Sequence, residues 1–271
     1  MLAAISFGAG LLGSLTGLGG GIIIVPMLTL ALGIDIHYAI GASLVAVIAT
    51  SSGAAVAYAR EGFANIRIGM FLEIAATAGA LMGAFITGIV SPAWVALIFG
   101  LVLIHSAYST VKAMPDAGNA NGKPDSLAAR LRLDGWYPGA DGPKEYHIRS
   151  VPGGFFVMVM AGVLSGLLGI GSGALKVIGM DRLMRIPFKV STATSNFMIG
   201  ITAAASAGIY LNRGYIEPRL AMPVMLGVIA GALLGGRYLG RIKTKWLRII
   251  FAFAVTFLGI EMIIKGFKGI F

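Results

Sequence analysis

The 271-residue sequence contains no cysteine, only three histidines, and charged residues at 12% of its length. The lack of cysteine excludes disulfides, thiol nucleophiles and thiolate-ligated metal sites. Soluble chains carry about 25% charged residues, so a chain this poor in charge cannot cover a soluble core of its size. Acidic residues are the scarcer sign, 11 against 21 Lys and Arg, giving a formal charge of +10. The basic residues lie between apolar runs, as membrane topology requires, so the charge does not imply a nucleic-acid partner. No metal and no cofactor is expected. Residues 1–13 lack the basic stretch of a cleavable signal peptide, and this segment is read as retained.

What the chain has in abundance is apolar length and glycine: 57% hydrophobic residues and 40 glycines. Apolar runs occupy 3–32, 38–58, 68–90, 93–111, 153–180, 190–211, 220–239 and 246–264. A bilayer is spanned by roughly 20 apolar residues, so the composition predicts an all-α polytopic membrane protein whose surroundings are lipid. Residues 114–150 form the one long polar stretch. In it the run 126–133 is amphipathic, and Trp136-Tyr137 and Tyr146-His147-Ile148 flank a Pro/Gly/Asp turn cluster, predicting a small hairpin.

Two of the apolar runs are interrupted by glycine: Thr16-Gly17-Leu18-Gly19-Gly20-Gly21 and Leu168-Gly169-Ile170-Gly171-Ser172-Gly173. Glycine clusters break helices because glycine readily takes positive φ. A break in mid-membrane frees backbone N–H groups that need a partner. The helix restarting after it aims free N–H groups and its positive dipole end at the break, which suits an anion. The same glycines would also permit close helix packing.

The second half repeats the first at a constant shift of 152 residues without a gap: Gly17, Gly19 and Gly21 fall on Gly169, Gly171 and Gly173, Ser43 on Ser195, Tyr58 on Tyr210, and Trp94 on Trp246. The chain therefore divides into a first repeat, 1–113, a polar loop, 114–150, and a second repeat, 151–271. If each broken segment is a re-entrant hairpin, each repeat has that hairpin plus three transmembrane helices, and the two repeats are inverted. All Lys and Arg except Lys176, Arg213, Arg219, Lys265 and Lys268 then collect on one side. Eight full crossings give a far weaker bias. The positive-inside rule favours inversion, with the middle loop cytoplasmic, the protein in the cell (inner) membrane, and both termini outside.

Candidate anion ligands are the break residues Thr16, Gly17, Gly19, Gly20, Gly21, Gly169, Gly171, Ser172 and Gly173, with Ser43, Thr194, Ser195 and Asn196 nearby in the following helix of each repeat. The hydroxyl and amide groups either donate to oxyanion oxygens or hold helices together. Lys176, in the first turn after Gly173, opposes the helix dipole; it either meets an anion or snorkels out. Its repeat equivalent is Ile24. Glu73, His105 and Glu261 are the other ionisable groups in apolar segments; any of them could relay protons, but Glu73 and Glu261 lie near enough to segment ends to be solvated, and His105 is more often simply a hydrogen-bonded interior histidine. Gly79, Gly83, Gly231 and Gly235, spaced four apart, predict close helix packing. An intramembrane serine hydrolase is disfavoured: Ser172 lacks a nucleophile-elbow spacing, and of the three histidines that could serve as its base, His37, His105 and His147, the last lies in the polar loop. The chain is not expected to be an enzyme.

These motifs resemble a known family. Gly17-Leu18-Gly19-Gly20-Gly21 followed by Val25-Pro26, and the 166–173 run followed by Lys176-Val177, are similar to the paired signatures of the TauE/SafE family of sulfite and organosulfonate exporters. Ala193-Thr194-Ser195, Tyr210 with Gly214, and Gly231-Ala232-x-x-Gly235 also fit. Ser172 and Ile178 depart from the pattern, standing where the first repeat has Gly20 and Pro26. The resemblance implies a secondary transporter exporting small sulfur-containing oxyanions, sulfite or an organosulfonate, by alternating access. The alternatives are a passive anion channel and a carrier of another small carboxylate anion. A homodimer is left open.

Overall fold

In a computed structural model the protein is all-α apart from one hairpin, and the structure describes residues 2–16, 21–60, 63–111, 125–139, 142–238 and 244–269. The first repeat supplies α1 (Leu2–Thr16), α2 (Gly21–Pro26) running into a π-helical turn (Met27–Ala31), α3 (Ile36–Arg60), α4 (Ile66–Thr87) and α5 (Pro92–Val111). The middle segment gives α6 (Ser126–Arg130) and the hairpin β1 (Gly135–Gly139) and β2 (Gly142–Tyr146). The second repeat supplies α7 (Val151–Leu168), α8 (Gly173–Ile178) with its π-helical turn (Gly179–Leu183), α9 (Phe188–Asn212), α10 (Pro218–Tyr238) and α11 (Thr244–Lys268). The starts of α2, α3, α4 and α5 recur at the starts of α8, α9, α10 and α11 with the 152-residue shift found in the sequence.

Among the described residues, two helices are both long and apolar enough to cross a bilayer, α4 and α7; α3, α5 and α10 contain shorter apolar runs. The runs in α3, α5 and α10 extend to the last described side chains of those helices, at 52, 108 and 234, while α9 mixes serine, threonine and Lys189 into its span.

The hairpin forms where the turn cluster predicts it, with Trp136 opposite Glu145 and Tyr137 opposite Lys144. Asn65 joins it to the helices. Its side-chain oxygen caps α4 at the Ile68 N–H (3.1 Å), and its amide nitrogen donates to the Tyr146 hydroxyl (2.7 Å) and the Leu133 carbonyl (3.2 Å). Burial pushes the Tyr146 hydroxyl up to about 12.

The helices of one repeat pack chiefly on those of the other. α1 lies on α10 and α4 on α7, α3 faces α9, and α5 faces α11. Glycines make the first two contacts close. A Cβ added at Gly79, Gly83, Gly162 or Gly166 would collide with the carbonyl oxygen of Val159, Val163, Ala76 or Ala80 respectively, and one at Gly10 or Gly231 would meet the carbonyl of Val228 or Phe7. Close packing is thus what Gly79, Gly83 and Gly231 do; the surroundings of Gly235 lie outside the described residues. The pairing α4–α7 is parallel. In contrast, α5 and α11 run antiparallel, with Ala93 beside Gly266 and Gly100 beside Gly259 and Ile263. The chain leaving α8 returns to the start of α7: the Arg149 N–H donates to the Met184 carbonyl (3.1 Å), and Gly154 sits against the Met184 side chain.

The α4–α7 contact gives a direct test. Gly83→Ala should lower stability by about 1–3 kcal/mol through overpacking. Gly208→Ala, in α9 with nothing within 4 Å of an added Cβ, should be neutral or gain up to about 1 kcal/mol from helix propensity. Thermal unfolding of the two variants in detergent distinguishes them.

Candidate functional site

The second break is a tight left-handed turn. α7 stops at Gly169 (φ 65°), and Gly171 (φ 70°) and Ser172 (φ 45°) continue it before α8 begins. Side chains other than glycine are disfavoured there by about 1–2 kcal/mol per residue, and a Cβ at Gly171 would also press on Ile199. Ser172 accepts that strain where the repeat equivalent is Gly20. The backbone N–H groups of Ile170, Gly171 and Ser172 have no hydrogen-bond partner among the described residues. The Ser172 hydroxyl is buried and likewise unpartnered there. It lines a small cavity, about 20 Å³, with Ile22, Val102, His105, Ser106, Ile170, Gly173 and Leu175. That volume holds about one water, so an oxyanion needs the surrounding elements to part.

The two breaks meet at this point. Gly21, which opens α2, lies against the Gly169 carbonyl, and the Ser43 hydroxyl on α3 is within reach of both the Gly169 carbonyl (2.9 Å) and the Gly21 carbonyl (3.4 Å). Ser195 repeats the arrangement from α9, donating to the Gly173 carbonyl at 3.2 Å. Each half-helix is therefore held at its first residue by a serine of the following helix. A hydroxyl that has given its one hydrogen to a carbonyl has only lone pairs left, so either serine must rotate before it can donate to an anion.

The remaining expected ligands are placed as follows. The Thr194 hydroxyl accepts from the Asn65 N–H (3.1 Å) at the start of α4, and the Asn196 amide donates back to the Thr192 carbonyl (3.1 Å). Thr16 is the last residue of α1; its side chain, and Gly17, Gly19 and Gly20, lie outside the described residues. Those of the set that gather at the breaks are Gly21, Ser43, Gly169, Gly171, Ser172, Gly173 and Ser195.

Lys176 neither snorkels nor lines the cavity. It is 0% exposed, and its partner belongs to the protein: Nζ lies 3.6 Å from Glu73 Oε2 and donates to the Thr202 hydroxyl. Thr202 in turn donates to Glu73 Oε1, as does Thr77 at 3.1 Å. Glu73 is 5% exposed, so the expectation that it is solvated is corrected. Glu73 starts the third turn of α4, about 10 Å along the helix from Ile66, beyond the reach of a carboxylate to that end. Sequence reasoning missed Glu73, Thr77 and Thr202 as a unit. The available signal was a lysine in an apolar helix, which requires a carboxylate, and Glu73 with Thr77 one turn later offers it.

The pair makes a stability prediction. Glu73→Gln strands the lysine charge and should cost about 3–5 kcal/mol, while Glu73→Gln with Lys176→Met should be near neutral. Non-additivity of the single and double variants in thermal unfolding is the readout.

Comparison with known proteins places this arrangement. A sequence model described as "Sulfite exporter TauE/SafE" matches residues 2–262. The chain is 27% identical over 98% of its length to a Bacillus subtilis protein named "Probable membrane transporter protein YunE", covering 97% of that protein. It is 27% identical over 88% of its length to a second from the same organism, "Probable membrane transporter protein YdhB", covering 89% of it. Over 97% of its length it is 25% identical to "Probable membrane transporter protein MJ0441" of Methanocaldococcus jannaschii, covering 95% of it. No solved structure matches. With nearly its whole length matched, both glycine breaks included, the chain belongs to the sulfite exporter TauE/SafE family.

Proposed function

We propose that the protein is a membrane carrier of small sulfur-containing oxyanions, sulfite or an organosulfonate, that binds its anion where the two glycine breaks meet. The observation that carries this reading is the juxtaposition of Gly21 and Gly169 under Ser43, beside N–H groups and a Ser172 hydroxyl that have no partner among the described residues. In hydrocarbon such groups need a partner, and an anion supplies one. The family and the transporter names of the relatives point the same way.

The architecture that fits is a pair of inverted repeats, each a re-entrant hairpin followed by three crossings. The return of Met184 to Arg149 supports the hairpin. The antiparallel pairing of α5 with its repeat equivalent α11 supports inversion, because equivalent helices run antiparallel when the axis relating them is perpendicular to both. The middle segment then lies in the cytoplasm of a cell-membrane protein. The bundle of α4, α7, α8 and α9 faces that of α10, α1, α2 and α3, and rocking one bundle against the other would open the closed cavity to each side in turn. Inside each bundle the glycine contacts hold the helices as one body.

Two experiments test this reading. In the cysteine-free chain, single cysteines at Asn119 and at Ser91 should label from opposite faces, with Asn119 cytoplasmic and the C-terminus opposite it. Labelling of Asn119 and the C-terminus from one face contradicts inversion. In proteoliposomes a carrier shows saturable sulfite or sulfoacetate flux accelerated by anion on the far side. Channel-sized conductance without that acceleration supports a passive anion channel instead, and preferential flux of a simple carboxylate would reassign the substrate.

A further inference from the structure

The Glu73–Lys176 pair is not needed to build a break. The repeat-equivalent positions hold Met225 and Ile24, so the same architecture is made once with the pair and once without it. Replacing a buried ion pair by apolar residues is often neutral or stabilising, and the first break shows that the fold accepts it. What the pair adds is a titratable group inside the apolar bundle, and such groups mark ion or proton sites.

The geometry gives the proton a place. Lys176 Nζ donates to Thr202 Oγ1, and Thr202 Oγ1 donates to Glu73 Oε1, a continuous donor chain from ammonium to carboxylate. Glu73 Oε1 also takes the Thr77 hydroxyl, while Oε2 has no hydrogen bond among the described residues and lies 3.6 Å from Nζ. Oε2 is therefore the oxygen open to a proton. The neighbouring elements bring no competing charge. α7 carries no ionisable residue. On α9, Lys189 sits at the far end over the Phe63 ring and Tyr210 bonds Thr87 at the opposite end. Arg67, on α4 itself, reaches the Arg132 carbonyl at the N-terminal end. The turn after α8 holds Asp181 and Arg182, yet among the described residues Lys176 is the charge that acts on Glu73.

We infer that Glu73 binds a coupling proton. When an anion enters the break and draws Lys176 Nζ to itself, Glu73 takes a proton from solvent on Oε2. This rests on the carrier reading above. The charges balance: the empty site holds one carboxylate and one ammonium, and the loaded site holds a neutral acid, the ammonium and a monovalent anion. One proton then crosses with each monovalent anion, no net charge moves, and the direction follows from the two gradients.

The test uses the full-length protein in proteoliposomes with isethionate, a monovalent sulfonate that does not itself titrate near neutral pH. Because Glu73→Gln alone strands the lysine, the informative variant is Glu73→Gln with Lys176→Met, and Glu261→Gln is the control. Saturating isethionate should raise the infrared carbonyl band of a protonated carboxylic acid in wild type and in the control, and not in the double variant. A trapped pH dye should report one proton entering per isethionate in wild type. Isethionate flux without proton flux, or an acid band that persists in the double variant, overturns the inference and leaves the carrier reading standing. If wild type moves no isethionate, sulfite or sulfoacetate, the carrier reading fails. An anion-free infrared titration then decides alone: an acid band that grows as pH falls and requires Glu73 supports the proton site, and its absence overturns it.

Discussion

A helix cannot be interrupted inside hydrocarbon unless something satisfies the backbone groups that the interruption frees. Most features of this protein follow from meeting that condition twice. Each break is pinned by a serine of the helix that follows it, Ser43 or Ser195, acting on the carbonyl of the half-helix's first residue. Ser43 also holds the Gly169 carbonyl of the opposite repeat. The Gly21, Gly169 and Gly173 carbonyls are thereby covered, while among the described residues the N–H groups of Ile170, Gly171 and Ser172 and the Ser172 hydroxyl have no partner. On the reading proposed above, these donors in a largely apolar pocket take a small anion.

Interleaving follows from the same condition. If each repeat packed only on itself, its break would open onto lipid. Here α7 lies along α4 and α1 along α10, so the repeats wrap each other and Gly21 meets the second break in the interior. The contact is close because glycines let carbonyl oxygens approach where a Cβ would otherwise stand. Other cross-repeat bonds secure the ends: Tyr210 donates to the Thr87 hydroxyl at 3.0 Å, and Arg213 caps the carbonyls of Ala84 and Phe85.

Much of this was legible in the sequence. The glycine clusters marked where α7 ends and where α2 and α8 begin, and the repeat shift is reproduced by the starts of four helix pairs. The hairpin was readable from its turn residues, and the role of Gly79, Gly83 and Gly231 from their spacing. The partner of Lys176 was not readable. Glu73 is 103 residues away on a helix of the other repeat, and no periodicity links side chains that meet only through tertiary packing. Nor could hydroxyl chemistry tell Ser43, bonded across the repeats, from Asn196, bonded to its own helix. Both residues carry groups suited to an anion, and the backbone decides which can reach one.

The charged pair and the breaks differ in their symmetry. The breaks are duplicated in the sequence, whereas Glu73 and Lys176 occur once, one in each repeat, so the charged pair is an addition to the repeat architecture that bridges its two halves. The central claim is that the anion sits where the breaks meet. It is tested most directly by diffraction from crystals grown with selenite, a sulfite analogue whose selenium scatters anomalously. The account predicts one anomalous peak between Gly21 and Gly173, within hydrogen-bond distance of the Gly171 or Ser172 N–H or of the Ser172 hydroxyl. A peak confined to the basic surface beside the hairpin, with none at the breaks, would contradict it.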